Sequence, residues 1–358
     1  METFFKFIYL IFLVIIKMNA SFSPNEFDLR NATISSLKKI TPNLYMLHYQ
    51  NNYYLDEIIN KGVQNHDEVK SFCTEKFGID FNFTIEHSKN FACSSFNVYN
   101  KKNQNLFGRN LDYPYNSPTL VIWTNPTNGY KSISFVNGEY IGIFEGQEIV
   151  KERLLFSVYD IMDGCNEAGL AISLLKLTKN QVHQDDPNKN NITSSIMMKA
   201  VLDYCKNVEE AVDFLNKYNL HDMVEGSSLH YLIADSQGDS VIIEYIDNKM
   251  LTIKPYEIET VKYLYLTNFY LKKPIGPGNE NGFDRYLILK EKLKNDTIME
   301  EENAMDLLID VRKTSTLWSN VYNLNELTVV TALRQNYSIF YKFDVNKPNE
   351  CLISQSYN

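Results

Sequence analysis

The stretch "FACSSFNVYNKKNQNLFGRNLDYP", Phe91 to Pro114, decides how this chain is read. "CSSFNVYN" and "NLFGRNLDY" are strand-like runs, and "NKKNQN" between them is rich in turn formers, so the segment predicts a β-hairpin. Cys93 stands at its start and an Arg109-Asn110-Leu111-Asp112 cluster at its end. A cysteine in an apolar strand is by default a small buried hydrophobe. The cluster across the hairpin raises a chemical alternative. Arg109 and Asp112 have opposite strand parity, so both can face Cys93 only if the strand bends or ends between them. Pro114 favours an end there.

Outward from the hairpin, "TLVIWTN" and "YKSISFVNG" predict a second strand pair. A helical stretch follows over about 194–218, in which Asn207 and Glu210 stand at capping-box spacing. Val208, Ala211, Val212 and Leu215 make one apolar face. "LHYLIAD", "SVIIEYI", "KMLTIKP" and "KYLYLTNF" read as strands, "FDRYLILKEKL" and "MEEENAMDLLIDVRK" as helices, and "LWSNVYNL", "ELTVVTAL" and "SIFYKFDV" as closing strands. Upstream, "SSLKKITPNLYMLHYQNNYYLDEIIN" suggests short strands and "DEVKSFCTEKFG" a helix stopped by Gly78. Runs of strands alternating with runs of helices predict a layered α+β fold rather than βαβ alternation. There is no internal repeat and no long linker.

The chain has 358 residues, 44% apolar, with 24 Tyr and 21 Phe, enough to bury a large sheet-rich core. A net charge of −9 argues against a nucleic-acid partner. At the N-terminus the apolar run Phe7–Ile16 is too short to span a bilayer, which needs about 20 residues, and predicts no stable membrane span. Followed by Ala20, Ser21 and Ser23, it matches a signal-peptide core, with residues 1–20 removed on entry to the secretory pathway. Sequons at Asn31, Asn82, Asn191, Asn295 and Asn336 agree with a secreted or lysosomal location. The five cysteines (Cys73, Cys93, Cys165, Cys205, Cys351) are an odd number, so at least one thiol is free.

Several arrangements are missing: no H-E-x-x-H, C-x-x-C, G-x-S-x-G, Walker A or G-x-G-x-x-G. The six histidines show no metal-ligand spacing. His230 reads as a sheet residue. No cofactor or metal is expected.

The opening segment resembles the active-site start of the linear amide C–N hydrolases, the family of choloylglycine hydrolases, penicillin V acylases, acid ceramidase and N-acylethanolamine acid amidase. Arg109 lies sixteen and Asp112 nineteen residues after Cys93, as in that family. "MDGCNEAGLAISLL", "LHYLIADSQGDSVIIEY", "YLTN" and "FDRY" extend the resemblance across most of residues 93 to 345, and "LDEIINKGVQNHDEVKSF" resembles the family's leader. The resemblance implies an αββα four-layer sandwich of the N-terminal nucleophile hydrolase type. It implies a leader over 21–92, a self-made cut between Ala92 and Cys93, and a catalytic domain over 93–358, the two pieces staying associated.

Cys93 would be the nucleophile, and its freed α-amine, with an ordinary pKa of about 7.7–8, the general base. Asp112 would orient that amine. Arg109 would favour the thiolate. Gly108 would allow close backbone approach beside the nucleophile. Asn268 would donate to the oxyanion and Arg285 would steady the charge network. Bile-acid-hydrolase members carry an Asn ten residues after the Asn of the N-E-x-G-L motif; Lys176 stands there in this chain, which disfavours bile-salt substrates and reads as a solvated strand-end lysine or a contact for an anion. Among the other cysteines, Cys73 with Cys351 is the favoured disulfide, tying leader to catalytic chain. The expected substrate is a small-molecule or lipid amide, a fatty N-acyl amide above others. The rival readings are an acyltransferase using the same acyl-enzyme, a Cys-His protease, and a secreted non-catalytic binding protein on this scaffold.

Overall fold

The computed structural model describes residues 24–81, 92–113, 117–178, 181–223, 227–258, 261–272, 281–294 and 298–357. The expected signal segment 1–20 and the sequons at Asn82 and Asn295 lie outside these residues. The chain runs through α1 (Pro24–Ser35), β1 (Lys38–Thr41), β2 (Leu44–Tyr49), α2 (Leu55–Lys61) and α3 (His66–Phe77), then the hairpin β3 (Ala92–Tyr99) and β4 (Asn105–Asp112). Next come β5 (Thr119–Thr124), β6 (Ser132–Asn137), β7 (Ile161–Asn166), β8 (Leu170–Thr178), β9 (Asn190–Thr193), α4 (Ser194–Tyr204), α5 (Val208–Leu215) and β10 (Tyr218–His221). They are followed by β11 (Ser227–Asp235), β12 (Ser240–Ile246), β13 (Lys249–Ile253), β14 (Tyr265–Leu266), α6 (Phe283–Leu293) and α7 (Glu301–Asp310). The last four strands are β15 (Thr316–Asn323), β16 (Thr328–Leu333), β17 (Asn336–Asp344) and β18 (Leu352–Ser354).

The hairpin forms as its sequence predicts. Asn100 closes the turn, its Oδ1 accepting from the backbone N–H of Lys102 and Gln104, and Asn103 takes the left-handed conformation that asparagine tolerates. The hairpin sits inside a seven-stranded sheet of order β14-β3-β4-β15-β16-β17-β18. A nine-stranded sheet, β1-β2-β5-β6-β7-β8-β11-β12-β13, packs on it through β8 and β11 against β3 and β4. α6 and α7 cover the outer face of the seven-stranded sheet, and α4, α5 and the N-terminal helices cover the other. The result is the expected α+β, four-layer αββα sandwich with mostly antiparallel sheets.

Residues 24–81 are part of this sandwich. β2 pairs in parallel with β5 from Leu44↔Thr119 to Tyr49↔Thr124, so with β1 this segment supplies two strands of the nine-stranded sheet. Leu44, Leu47, Ile58, Val69, Phe72 and Phe81 share one continuous core with Cys93 and Trp318. "LDEIIN" is helical rather than extended, because Leu55, Ile58 and Ile59 make one buried helical face. Gly78 ends α3 in the left-handed conformation, as its sequence predicts. "KYLYLTNF" shrinks to the two residues of β14.

Two expectations are corrected here. No disulfide joins Cys73 to Cys351, since all five cysteines are free thiols. Cys73 is buried on α3 and hydrogen-bonded to Tyr159, whereas Cys351 is half-buried beside the edge strand β18. Cys165 and Cys205 are buried, and burial pushes each thiol up to about 12. Of the described sequons, Asn31 and Asn336 are exposed, but Asn191 does not suit a glycan. It is half-buried, and its Oδ1 is bonded to Asn219 and His221 within the β9–β10 pair.

Candidate active site

The pleat of β3 decides what Cys93 can touch. Odd residues (Cys93, Ser95) point between the sheets and even ones (Ser94, Phe96) toward α6 and α7. The Cys93 side chain is fully buried. Its backbone N–H donates to Asn268 Oδ1 at 2.9 Å, and its carbonyl accepts from Arg285 Nη1 at 2.5 Å. Arg285 also donates to Ser94 Oγ at 2.7 Å and, through Nη2, to Asn268 Oδ1 at 2.7 Å, and it lies 3.5 Å from Asp112 Oδ2. One guanidinium thus joins Cys93, Asn268 and Asp112. Gly282 makes room for it: a Cβ there would stand 2.6 Å from Arg285 Nη2.

Arg109 and Asp112 lie on opposite faces of β4. The strand does not bend between them; it ends at Asp112, opposite Ala92. Arg109 reaches the Cys93 thiol from between the sheets, with Nη1 bonded to the Asn110 carbonyl at 2.8 Å and Nε 3.5 Å from Asp163 Oδ2. Asp112 faces the helical layer, where Thr316 Oγ1 donates to it at 2.5 Å. The two groups address Cys93 from either side of the sheet, one at the sulfur and one through Arg285.

Burial raises the Cys93 thiol, and Arg109 and Arg285 pull it back without overcoming burial. Arg109 therefore acts in the expected direction, but desolvation wins. Asp112 is likewise raised by burial, against the pull of Arg285, Thr316 and Arg109.

Three further expectations change. Asn268 meets Cys93 through its oxygen, and its Nδ2 donates to the Lys176 carbonyl at 2.8 Å, so in this state its amide holds the Cys93 nitrogen. Lys176 is a buried residue of β8, neither strand-end nor solvated, because β8 continues beyond it and pairs Lys176 with Leu229 of β11. Gly108 lies opposite Phe96 on the helical face, where a Cβ would meet the Phe96 ring at 2.4 Å. It serves packing of that ring and not a close approach at Cys93.

Other residues enter that sequence reading assigned no role. Asp163 accepts from Trp318 Nε1 at 2.9 Å, Asn320 Nδ2 at 2.8 Å and Tyr322 Oη at 2.5 Å. The buried pair His230 and Glu244 braces the segment that carries Asn268. His230 Nε2 lies 2.7 Å from the Thr267 carbonyl, while Glu244 accepts from the Leu271 and Lys272 N–H groups. His230 is a sheet residue, as its sequence reads, but a bracing one. The only sequence cue to Asp163 was its place in "MDGCNE". Among the described residues no helix is long and apolar enough to cross a membrane.

Residues 93–261 match the family model for linear amide C-N hydrolases, choloylglycine hydrolase family. The chain is 33% identical over 152 residues to penicillin V acylase of Pectobacterium atrosepticum (37% of this chain, 40% of that protein). It is 26% identical over 166 residues to bile salt hydrolase/transferase of Clostridium perfringens (44% and 49%). The matches thus span less than half the length of either relative. Among solved structures, two variants of conjugated bile acid hydrolase from Clostridium perfringens superpose with TM-scores of 0.50 and 0.51, at 17% identity, covering 74% of this chain and 97% of theirs. At that identity they speak to the fold, and it is the same fold. The similarity to the linear amide C-N hydrolases, choloylglycine hydrolase family, thus lies in residues 93–261, which carry the hairpin with Cys93, Arg109 and Asp112.

Proposed function

We propose that this protein is a self-processing cysteine amidohydrolase that cleaves linear, non-peptide amides. The observation that carries the reading is the treatment of Cys93. Arg109 stands at its sulfur, Asn268 and Arg285 hold its backbone N–H and carbonyl, and the family match begins at this residue. In the first step the Cys93 thiol adds to the Ala92 carbonyl. The Cys93 nitrogen leaves with the thiol proton, and a thioester forms. Water hydrolyses the thioester, giving a carboxylate at Ala92, a free thiol and a free α-amine at Cys93. In turnover that amine accepts the thiol proton as sulfur attacks the substrate amide, then passes it to the departing amine. A second water releases the acid. Arg109 stabilises the thiolate, and Arg285 and Asn268 hold the new N-terminus near Asp112.

The relatives and one departure from them bear on the substrate class. Penicillin V and bile-salt amides are what the two relatives are named for. Lys176, at the position where bile-acid-hydrolase members carry an asparagine, counts against bile-salt amides, and fatty N-acyl amides are the class this reading puts first. The segment Phe7–Ile16 and the exposed Asn31 and Asn336 support passage through the secretory pathway.

Intact-mass measurement of purified protein tests the processing. The expected result is a separate catalytic chain of 266 residues, Cys93 to Asn358, in wild type and only uncut chain in Cys93→Ala. Amidase activity from a chain that stays whole, or from Cys93→Ala, would refute the mechanism. A panel of N-acylethanolamines, ceramides, penicillin V and glycine-conjugated bile salts then ranks the substrates, with added amines as acceptors to expose acyl transfer.

A further inference from the structure

Asp163 lies on β7 of one sheet, and its side chain reaches partners on the other. Trp318, Asn320 and Tyr322 alternate along β15, so all three present donors on one face, and they converge on this one carboxylate. Arg109, on the neighbouring β4, comes within 3.5 Å of it. All four partners offer hydrogens, which suits an acceptor-only carboxylate and leaves little place for an O–H. Thr331 Oγ1 in turn donates to Asn320 Oδ1 at 2.8 Å, fixing which way that amide points. Gly164, next in the chain, lets β7 come close: a Cβ there would stand 2.7 Å from the Ile133 carbonyl. The guanidinium of Arg109 has a backbone anchor at Nη1, a carboxylate beside Nε, and a hydrogen bond to the Cys93 thiol.

We propose that Asp163 is a positioning residue for the chemistry at Cys93: held by Trp318, Asn320 and Tyr322, it fixes the Arg109 guanidinium against the thiol. The inference rests on the reading of Cys93 as nucleophile. It has a sign that separates it from simple charge neutralisation. If Asp163 only offset the charge of Arg109, its loss would leave Arg109 more effective and Cys93 easier to ionise. If it positions Arg109, its loss lets the guanidinium drift and Cys93 becomes harder to ionise.

The experiment follows the pH dependence of iodoacetamide alkylation at Cys93, read on its own peptide by mass spectrometry, together with kcat and KM. Asp163→Asn puts an N–H where donors converge. The expected result is an alkylation midpoint moved to higher pH and kcat reduced by about tenfold or more, with KM nearly unchanged. Tyr322→Phe keeps the carboxylate and removes one donor, so it shifts both readouts the same way by less. Asp163→Asn added to Arg109→Ala costs nothing beyond Arg109→Ala alone. A midpoint that falls or stays, or losses that multiply in the double variant, would overturn the proposal. If Asp163→Asn does not fold by circular dichroism, Tyr322→Phe and Trp318→Phe, each alone and with Arg109→Ala, decide by the same criteria. Cys93→Ala is the separate control: amidase activity surviving there would defeat the nucleophile reading itself.

Discussion

Arg285 shows how much one side chain can carry. It bonds the Cys93 carbonyl, Ser94, Asn268 and the edge of Asp112, and it does so from the first turn of α6, entered through Gly282 at φ +86°. Gly282→Ala adds strain at a left-handed position and a methyl 2.6 Å from Nη2. We expect a stability loss of about 1–2 kcal/mol with a disproportionate loss of amidase activity; an active Gly282→Ala variant would contradict the tight seat assigned to Arg285. At this scale the sequence was only half legible. Cys93, Arg109 and Asp112 stood out as a cluster along one hairpin, but their roles were read through resemblance. Asn268 and Arg285 were visible only through resemblance, and which atom of Asn268 faces Cys93 was not visible at all. Asp163 lies 155 residues from Trp318, and nothing local in either segment shows that they meet.

At the scale of elements, legibility followed local chemistry. The β3–β4 hairpin could be read because its turn residues and flanking strands agree. α5 could be read because Asn207 caps it, its Oδ1 accepting from the Glu210 N–H at 2.9 Å, with Val208, Ala211 and Leu215 buried behind. Replacing Asn207 with alanine should cost about 1 kcal/mol in urea unfolding, with kcat unchanged. α1 was missed because its apolar residues do not recur at helical spacing; tertiary contacts hold it. Thr33 Oγ1, for example, accepts from the backbone N–H of Gln50 and Asn51. β14 was over-read because the chain turns at Thr267, where side chains from β11 and β12 take over the work of a strand partner.

For the whole molecule, the layer order was legible from the succession of strands and helices, but the place of residues 24–81 was not. Parallel pairing of β2 with β5 joins segments separated by the entire hairpin, and no local pattern encodes it. The balance of buried acids is likewise a property of the assembled fold. Asp222 accepts the Val182 N–H at 2.8 Å, and burial pushes its carboxyl from 3.8 up to about 7. The folded chain keeps this proton where the unfolded chain gives it up, near pH 4. Asp222 therefore favours the fold most below about pH 4, and that contribution declines as pH rises toward about 7, by at most about 1.4 kcal/mol per unit. Asp222→Asn has no such proton to lose. Its stability relative to wild type should improve between pH 4.5 and 7.5 on a scale of about 1 kcal/mol or more, read from urea midpoints; a constant difference would contradict the raised carboxyl.

Strand β2, ahead of Cys93 and inside the nine-stranded sheet, has one more consequence. If the chain is cut before Cys93, the mature enzyme is a heterodimer whose subunits came from one precursor and whose core is shared between them. Folding was unimolecular for the precursor, but reassembly after unfolding is bimolecular and depends on dilution. Denaturation of the mature protein then becomes a one-way event, its working life set by a rate of unfolding and not by an equilibrium. The cut would convert a protein that can refold into one with a half-life.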